Sequence, residues 1–321
     1  MLTAYSTTDR GPEAQAPQST VPTSWIDLYE PTPEEDRTAE AFLGGEIPTQ
    51  EEAREIEFSS RFYVENGIVF MTASLLVGVE DGTPGLTPFT FAMRKDKLVT
   101  LRYANMTAFR QFLARASKAD AACTTSAGVF AGLLDAIIDR TADVIEHITQ
   151  DVDRLNDEIF LRKRGRKRSQ FLAAALGGLG KQGNLASKSR ESLASLERLV
   201  QYAATVMPER GAKGDGLSAR LKLALRDIRS LEDHVTFLLS KITFLLDATL
   251  GLVSNEQNRV VSVLTVVSTI LLPPMLIGTI YGMNFKDMPE LEWVFGYPVA
   301  VSAMILSAIL PYLFFKLRGW M

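Results

Sequence analysis

The distribution of charged and apolar residues divides the chain into two unequal parts. Charged positions recur up to Arg259, whereas residues 260–285 and 293–315 form two long uncharged runs. A helix needs about 20 predominantly apolar residues to cross the hydrocarbon core of a bilayer, and charges inside that core are costly. Both runs are long enough, and the loop between them is too short to hold a folded domain. The pattern therefore predicts a membrane-spanning helical hairpin.

The first hundred residues show the alternation and turn signals of a sheet. Residues 24–29 alternate like a short strand, and Asn66-Gly67 separates two apolar runs as a hairpin turn would. A second hairpin is predicted around residues 94–96. Thr32 followed by Pro33 and acidic residues marks a helix start, and Thr49 begins a similar pattern. This region predicts an α+β domain with a mainly antiparallel sheet.

Helical spacing replaces the strand pattern after residue 104. The glycine-rich stretch 177–183 lacks the spacing of a phosphate-binding loop, and no strand precedes it, so we interpret it as a turn between helices. From residue 217 no proline occurs until Pro273. One helix of about 65 residues, spanning roughly 100 Å, is therefore predicted to run from a stalk into the first membrane span.

The predicted organisation follows from these patterns. It comprises a flexible tail (1–22), a cytoplasmic α/β domain (23–104), cytoplasmic helices (105–216), a stalk helix (217–259), a first membrane helix (260–283), an external loop (284–292), a second membrane helix (293–315) and a cytoplasmic tail (316–321).

We expect the chain to lie in the cytoplasmic membrane of a bacterium, and its charge pattern predicts the topology. Arg259, Lys316 and Arg318 flank the two spans, whereas the connecting loop is acidic, which favours both termini inside. No secretory signal peptide is expected, because residues 1–23 are polar. A single cysteine, Cys123, excludes an intramolecular disulfide, and a net charge of -4 indicates no nucleic-acid partner.

A stripe of small, polar and apolar residues follows the long helix at alternating spacings of three and four. Its members are Asp247, Gly251, Ser254, Asn258, Val261, Thr265, Ser268, Leu272, Met275, Thr279 and Gly282, with Leu264 beside it. This period is typical of helices packed around a common axis. In a cyclic oligomer the stripe would line a pore with an acidic ring, amide and hydroxyl rings and an apolar constriction. The alternative is a coiled-coil seam without a conduit, or simple packing of the Gly278–Gly282 pair.

The end of the first span carries a resemblance to a known family. Residues 281–284 read Tyr-Gly-Met-Asn and residues 288–291 read Met-Pro-Glu-Leu, with Trp293 following. Together with Gly-Tyr-Pro at 296–298, Lys-Leu-Arg-Gly-Trp at 316–320, Asn-Glu-Gln-Asn-Arg at 255–259 and Leu-Pro-Pro at 272–274, they resemble the signature of the CorA family of divalent-cation channels. The match is dense from about residue 225 to the end. It implies a homopentameric funnel that carries Mg²⁺ into the cell, with Co²⁺ and Ni²⁺ passing as similarly sized hydrated ions.

The resemblance also implies a selectivity ring formed by Gly282, Met283 and Asn284. Mg²⁺ gives up its waters reluctantly, and neutral amide oxygens can accept hydrogen bonds from those waters without holding the ion tightly. The alternative for these residues is a simple helix C-cap and turn. Glu290 and Glu292 would attract cations outside the pore, or they are solvated loop acids.

The resemblance further implies gating by intracellular Mg²⁺ bound between cytoplasmic domains. Bound ions would hold acidic surfaces together, and their loss would let like charges separate the domains. The candidate regulatory residues are Asp227, Glu232 and Asp233 on the stalk. Mg²⁺ is thus both the transported and the regulatory ion, and no organic cofactor is predicted.

Two alternative functions remain open at this point. A zinc transporter of the same superfamily would share the fold but typically carries Gly-Ile-Asn, so Met283 argues against it. A membrane-anchored sensor would conduct nothing. An enzyme is not indicated, because His147 and His234 lie far apart without ligand spacing. The basic run 162–168 is either a patch for anionic lipid headgroups or a solvated helix end.

Overall fold

The computed structural model describes residues 1–8, 11–14, 23–55, 57–116, 125–161, 168–207, 216–283, 289 and 293–319. The strands are β1 (Leu2–Thr8), β2 (Gly11–Ala14), β3 (Trp25–Tyr29), β4 (Phe62–Glu65), β5 (Ile68–Val77), β6 (Gly85–Arg94) and β7 (Lys97–Arg102). The helices are α1 (Pro33–Leu43), α2 (Gln50–Arg54), α3 (Phe58–Arg61), α4 (Thr107–Ala116), α5 (Ser126–Leu161), α6 (Arg168–Val206), α7 (Leu217–Tyr281) and α8 (Gly296–Leu317). The chain forms two compact units, an N-terminal unit (residues 1–162 and 177–245) and a C-terminal unit (residues 163–176 and 246–321).

The strands form one mainly antiparallel sheet, as predicted. Its order is β2-β1-β3-β7-β6-β5-β4, and only the β3–β7 pair is parallel. The predicted flexible tail is wrong over residues 2–8 and 11–14, which are strands of this sheet. Strand β1 pairs antiparallel with β3, and the Tyr5 ring stacks on Trp25 at 4.2 Å between centroids. A short polar sequence is held here because a neighbouring strand offers it a complete hydrogen-bonding edge.

Both predicted hairpins are present. Asn66 and Gly67 have φ of 50° and 81° between β4 and β5, which suits the two-residue turn that Asn-Gly favours. Lys95, with φ of 49°, turns the chain between β6 and β7. The helix start at Thr32 is also confirmed, because its hydroxyl accepts from the Glu35 backbone N–H while the Glu35 carboxylate accepts from the Thr32 N–H.

A buried polar network ties β3 to its parallel neighbour β7. The Asp27 carboxylate accepts from the Thr100 hydroxyl at 2.8 Å and from the Arg102 guanidinium at 3.0 Å. The Trp25 indole N–H donates to Thr100 at 3.0 Å. Burial raises the pKa of Asp27, whereas the adjacent Arg102 acts in the opposite direction. Each charged group therefore has a partner in an environment where an unpaired charge would be costly.

The predicted turn at residues 177–183 is wrong, because α6 runs through all of them. A Cβ added at Gly178 would lie 3.4 Å from a Leu155 methyl group, and one at Gly183 would lie 3.6 Å from an Ile242 methyl group. These glycines let side chains of α5 and α7 approach closely, and that packing offsets the low helix propensity of glycine.

The single long helix predicted from residue 217 is confirmed as α7. Its apolar part and α8 are each long and apolar enough to cross a membrane, and only 6% of each apolar window is buried within the chain. The two helices meet where Gly278 approaches the Met304 side chain. The domain boundaries assigned along the chain stay predictions.

Candidate functional site

The stripe on α7 is exposed along its whole length in the C-terminal unit. All eleven of its members, from Asp247 to Gly282, are exposed. Val266 is only 5% exposed, whereas Gly278 packs beside Met304 of α8 one turn from Met275 and Gly282, so α8 adjoins the stripe at this end without covering its residues. Folding of one chain therefore leaves the whole stripe available to other copies of the chain.

The middle of this face is apolar and unprotected. Leu264, Leu272 and Met275 are 66%, 62% and 70% exposed. Large contiguous apolar surfaces are rare on soluble monomers and mark contact with a membrane or another protein. Because Leu272 and Met275 belong to the stripe, their approach in a cyclic assembly would form the narrow, dry constriction that the sequence predicts.

The hydroxyl groups of the two stripe threonines already donate their protons to backbone carbonyls of α7. The Thr265 hydroxyl donates to the Val261 carbonyl at 2.9 Å, and the Thr279 hydroxyl donates to the Met275 carbonyl at 2.8 Å. A hydroxyl has one proton and two acceptor lone pairs. With the proton directed at the backbone, each oxygen can accept from a water molecule, which suits the outward-pointing protons of a hydrated cation.

A compensated charge cluster lies beside the polar end of the stripe. Glu256 is 18% exposed and contacts Arg259 at 3.2 Å and Arg168 at 3.7 Å. The sequence analysis missed Glu256, although its spacing of three residues from Arg259 is a detectable ion-pair signal. The ion pair with Glu256 partly offsets the positive charge of Arg259 beside the stripe. Within the polar half of the stripe itself, Asp247 carries a charge and Asn258 is neutral.

At the far end, α7 stops just before the predicted selectivity ring. The Gly282 N–H donates to the Gly278 carbonyl at 3.0 Å, and the Met283 N–H donates to the Ile280 carbonyl at 3.2 Å. Both Gly282 and Met283 are exposed. Asn284, Glu290 and Glu292 lie outside the described residues, so their roles stay predictions.

Comparison with known proteins identifies the family. The family model described as "CorA-like Mg2+ transporter protein" matches residues 22–317. The chain belongs to this CorA-like family. It is 33% identical over 310 residues to the magnesium transport protein CorA of Salmonella typhimurium, covering 96% of this chain and 95% of that protein. The CorA of Escherichia coli strain K12 is 32% identical over 309 residues, with the same coverage of both chains.

The fold agrees with that of a solved CorA structure. The complete structure of the CorA magnesium transporter from Methanocaldococcus jannaschii superimposes with a TM-score of 0.74 at 18% identity, covering 100% of this chain and 99% of that one. The prediction of the CorA family and of its α+β fold is therefore confirmed. CorA proteins are transporters, which agrees with the prediction that the chain is not an enzyme.

The three candidate regulatory acids of this CorA-like chain do not converge. Asp227 and Asp233 are exposed, and their separation of six residues places them on different sides of α7. Glu232 is half-buried near Glu197 of α6, and burial followed by the Glu197 charge raises the pKa of Glu232. Among the described residues, no group of three or more His, Cys, Asp or Glu side chains could hold a metal ion. A regulatory site built from these residues would need a second chain.

Proposed function

We propose that this chain forms a homopentameric channel that carries hydrated Mg²⁺ into the cell across the cytoplasmic membrane. Relatives named magnesium transport proteins match 96% of the chain. The observation that carries the proposal is the uncovered stripe on α7, which combines polar and apolar positions in the order that a pore requires. Co²⁺ and Ni²⁺ would pass as hydrated ions of similar size.

Selection would occur through the hydration shell of the ion. Mg²⁺ keeps its waters in most protein sites, so oxygen acceptors that hold those waters can pass the intact aqua ion. Asn284 would supply a ring of amide oxygens at the external mouth, and Thr279 and Thr265 would supply hydroxyl oxygens further along. Asp247 would attract the ion at the cytoplasmic end. Neutral rings capture weakly enough to allow release.

Exposed aromatic residues in the N-terminal unit also support assembly of several chains. Phe237 and Phe244 are 61% and 62% exposed and lie seven residues apart on α7. Val235, Leu238 and Ile242 on the other side of this segment are buried. A helix that is apolar on two sides is usually covered on both. In a homo-oligomer the second side would pack against the same helix of other copies.

We also propose that intracellular Mg²⁺ closes the channel by binding between neighbouring chains. Asp227 and Asp233 are exposed and therefore available to a partner, whereas Glu232 already faces Glu197. A bridging ion would favour the closed arrangement by its differential affinity for it. Both termini would lie in the cytoplasm, since the cationic residues flank the two spans.

Ion flux into liposomes containing the purified protein tests this function. Mg²⁺, Co²⁺ and Zn²⁺ uptake would be compared with and without millimolar Mg²⁺ on the cytoplasmic face. We expect Mg²⁺ flux that cytoplasmic Mg²⁺ suppresses. Zn²⁺ flux with little Mg²⁺ flux would instead favour the zinc branch of the superfamily, and the absence of any flux would favour a non-conducting sensor.

A further inference from the structure

A small cleft in the N-terminal unit is lined by cationic groups that have no role in the proposed transport. It lies where α2, α3 and the β5–β6 pair meet, and its volume is about 230 Å³. Its wall consists of Ala53, Arg54, Arg61, Ser74, Leu86, Thr87 and Pro88. The only charged side chains in this lining are the two arginines.

The edge of the sheet explains why a cleft forms here. Strand β4 pairs with β5 only as far as Met71, so β5 continues beyond it without a strand on that side. Hydroxyl groups of α6 occupy part of the open edge: Ser195 accepts from the Ser74 N–H at 2.8 Å, and Ser192 accepts from the Leu76 N–H at 3.3 Å. The cleft therefore has a floor of hydrogen-bonded backbone.

The side chain of Arg61 is held in this cleft by a hydrogen bond to the backbone of Glu55. Its Nε donates to the Glu55 carbonyl at 2.5 Å, which fixes the guanidinium plane and leaves the two terminal nitrogen atoms for other acceptors. Within the described part of the chain, neither Arg54 nor Arg61 forms an ion pair. Fixed guanidinium groups without carboxylate partners are the usual receptors for phosphate and related oxyanions.

The charges around Arg61 also favour binding of an anion. Burial, and then the positive charge of Arg198 on α6, lower the pKa of Arg61. The Glu191 carboxylate acts in the opposite direction. The Arg61 guanidinium thus experiences repulsion from Arg198 in addition to its burial, and a bound anion would offset both effects.

We propose that this cleft binds a phosphate-type oxyanion, with Arg61 and Arg54 as its cationic ligands. The size of the cleft restricts the ligand. Organic ligands usually occupy pockets of about 300–1,000 Å³, whereas this cleft has a volume of about 230 Å³. The cleft therefore holds a free phosphate, or the terminal phosphate of a nucleotide whose remainder stays outside.

Equilibrium dialysis of the full-length protein in detergent against labelled inorganic phosphate tests the site directly. Ionic strength would be held constant with chloride, so that general charge screening is the same in every sample. We expect saturable binding of one phosphate per chain. Arg61→Gln should weaken binding by about tenfold or more, which corresponds to about 1.4 kcal/mol. Arg61→Lys should also bind more weakly, because it keeps the charge but loses the planar fork.

Matched variants keep this test decisive. Arg37→Gln removes the same charge from an exposed position on α1 outside the cleft and should bind phosphate normally. Arg54→Gln provides a second disruption if Arg61→Gln folds poorly.

Competition with adenosine triphosphate distinguishes free phosphate from the terminal phosphate of a nucleotide. Tighter nucleotide binding assigns the site to a phosphorylated metabolite, and equal binding assigns it to free phosphate. Absence of saturable binding, or equal weakening by Arg37→Gln, would overturn the proposal.

Discussion

The sheet domain and the C-terminal helices are both rich in large apolar side chains, but they bury them differently. Trp25, Phe89 and Phe91 of the sheet are at most 1% exposed. By contrast, only 6% of the apolar window of α8 is buried within the chain. The sheet domain makes its interior from its own residues. The apolar side chains of the C-terminal helices require an apolar environment that the single chain does not supply. Lipid would cover part of their surface, and other copies of the chain would cover the stripe on α7.

The largest effect is expected from removing the Asn284 amide, which belongs to the predicted selectivity ring at the end of α7. We expect Asn284→Ala to reduce Mg²⁺ flux by more than about tenfold, because weak capture of the aqua ion would be lost at the pore mouth. Liposome flux and native mass spectrometry of the same sample would be compared. Normal Mg²⁺ flux in an intact oligomer would remove Asn284 from the mechanism.

A matched pair of phenylalanine substitutions separates self-buried from uncovered apolar residues. Phe91→Ala should lower the free energy of unfolding by about 3–5 kcal/mol, since it leaves a cavity in the sheet core. Phe244→Ala should change the free energy of unfolding of the dissociated chain by about 0.5 kcal/mol or less, because the side chain is exposed in one chain. Urea denaturation in detergent measures both.

Phe244→Ala should nevertheless weaken the oligomer, and dissociation on dilution is the measurement. If the oligomer of this variant is as stable as that of the unsubstituted protein, the exposed phenylalanine is not an assembly contact.

A smaller effect is expected at the Asp247 end of the stripe. Asp247→Ala should weaken Mg²⁺ capture by about fivefold, or about 1 kcal/mol, because a water-exposed charge contributes modestly. The dependence of flux on Mg²⁺ concentration measures this change. Asp247→Glu retains the charge and serves as the control, and an unchanged concentration dependence in Asp247→Ala would exclude a role for this carboxylate.

The smallest effect concerns a surface cap in the sheet domain. Hydrogen bonds from the Thr32 backbone N–H, the chain's amino group and the Leu2 N–H hold the pKa of Glu35 at about 2, below its ordinary value of 4.5. Because the folded pKa is depressed, the stabilisation is present above pH 4.5 and is lost as pH falls toward about 2.

Glu35→Gln should therefore cost about 1 kcal/mol at neutral pH and progressively less on acidification. Urea midpoints across this pH range measure the difference, and Glu34→Gln on the same turn provides the control. A cost independent of pH would show that the charge of Glu35 is not responsible.

Local signals predicted the elements whose determinants lie within a few residues. The Asn66-Gly67 turn, the Thr32 cap and the long helix α7 follow from turn chemistry, capping chemistry and the absence of proline. The two uncharged runs likewise define the candidate membrane helices by their length. The order of polar and apolar positions along the stripe is also a property of the sequence, as is the resemblance that led to the family.

Tertiary contacts decided what local signals could not. Strands β1 and β2 have a polar sequence and exist because β3 offers an edge, and the glycines of α6 remain helical because Leu155 and Ile242 pack against them. The parallel pairing of β3 with β7 depends on Asp27 meeting residues some 70 positions away. The shared cleft of Arg54 and Arg61 is likewise a consequence of packing, because long-range proximity is a property of the folded chain.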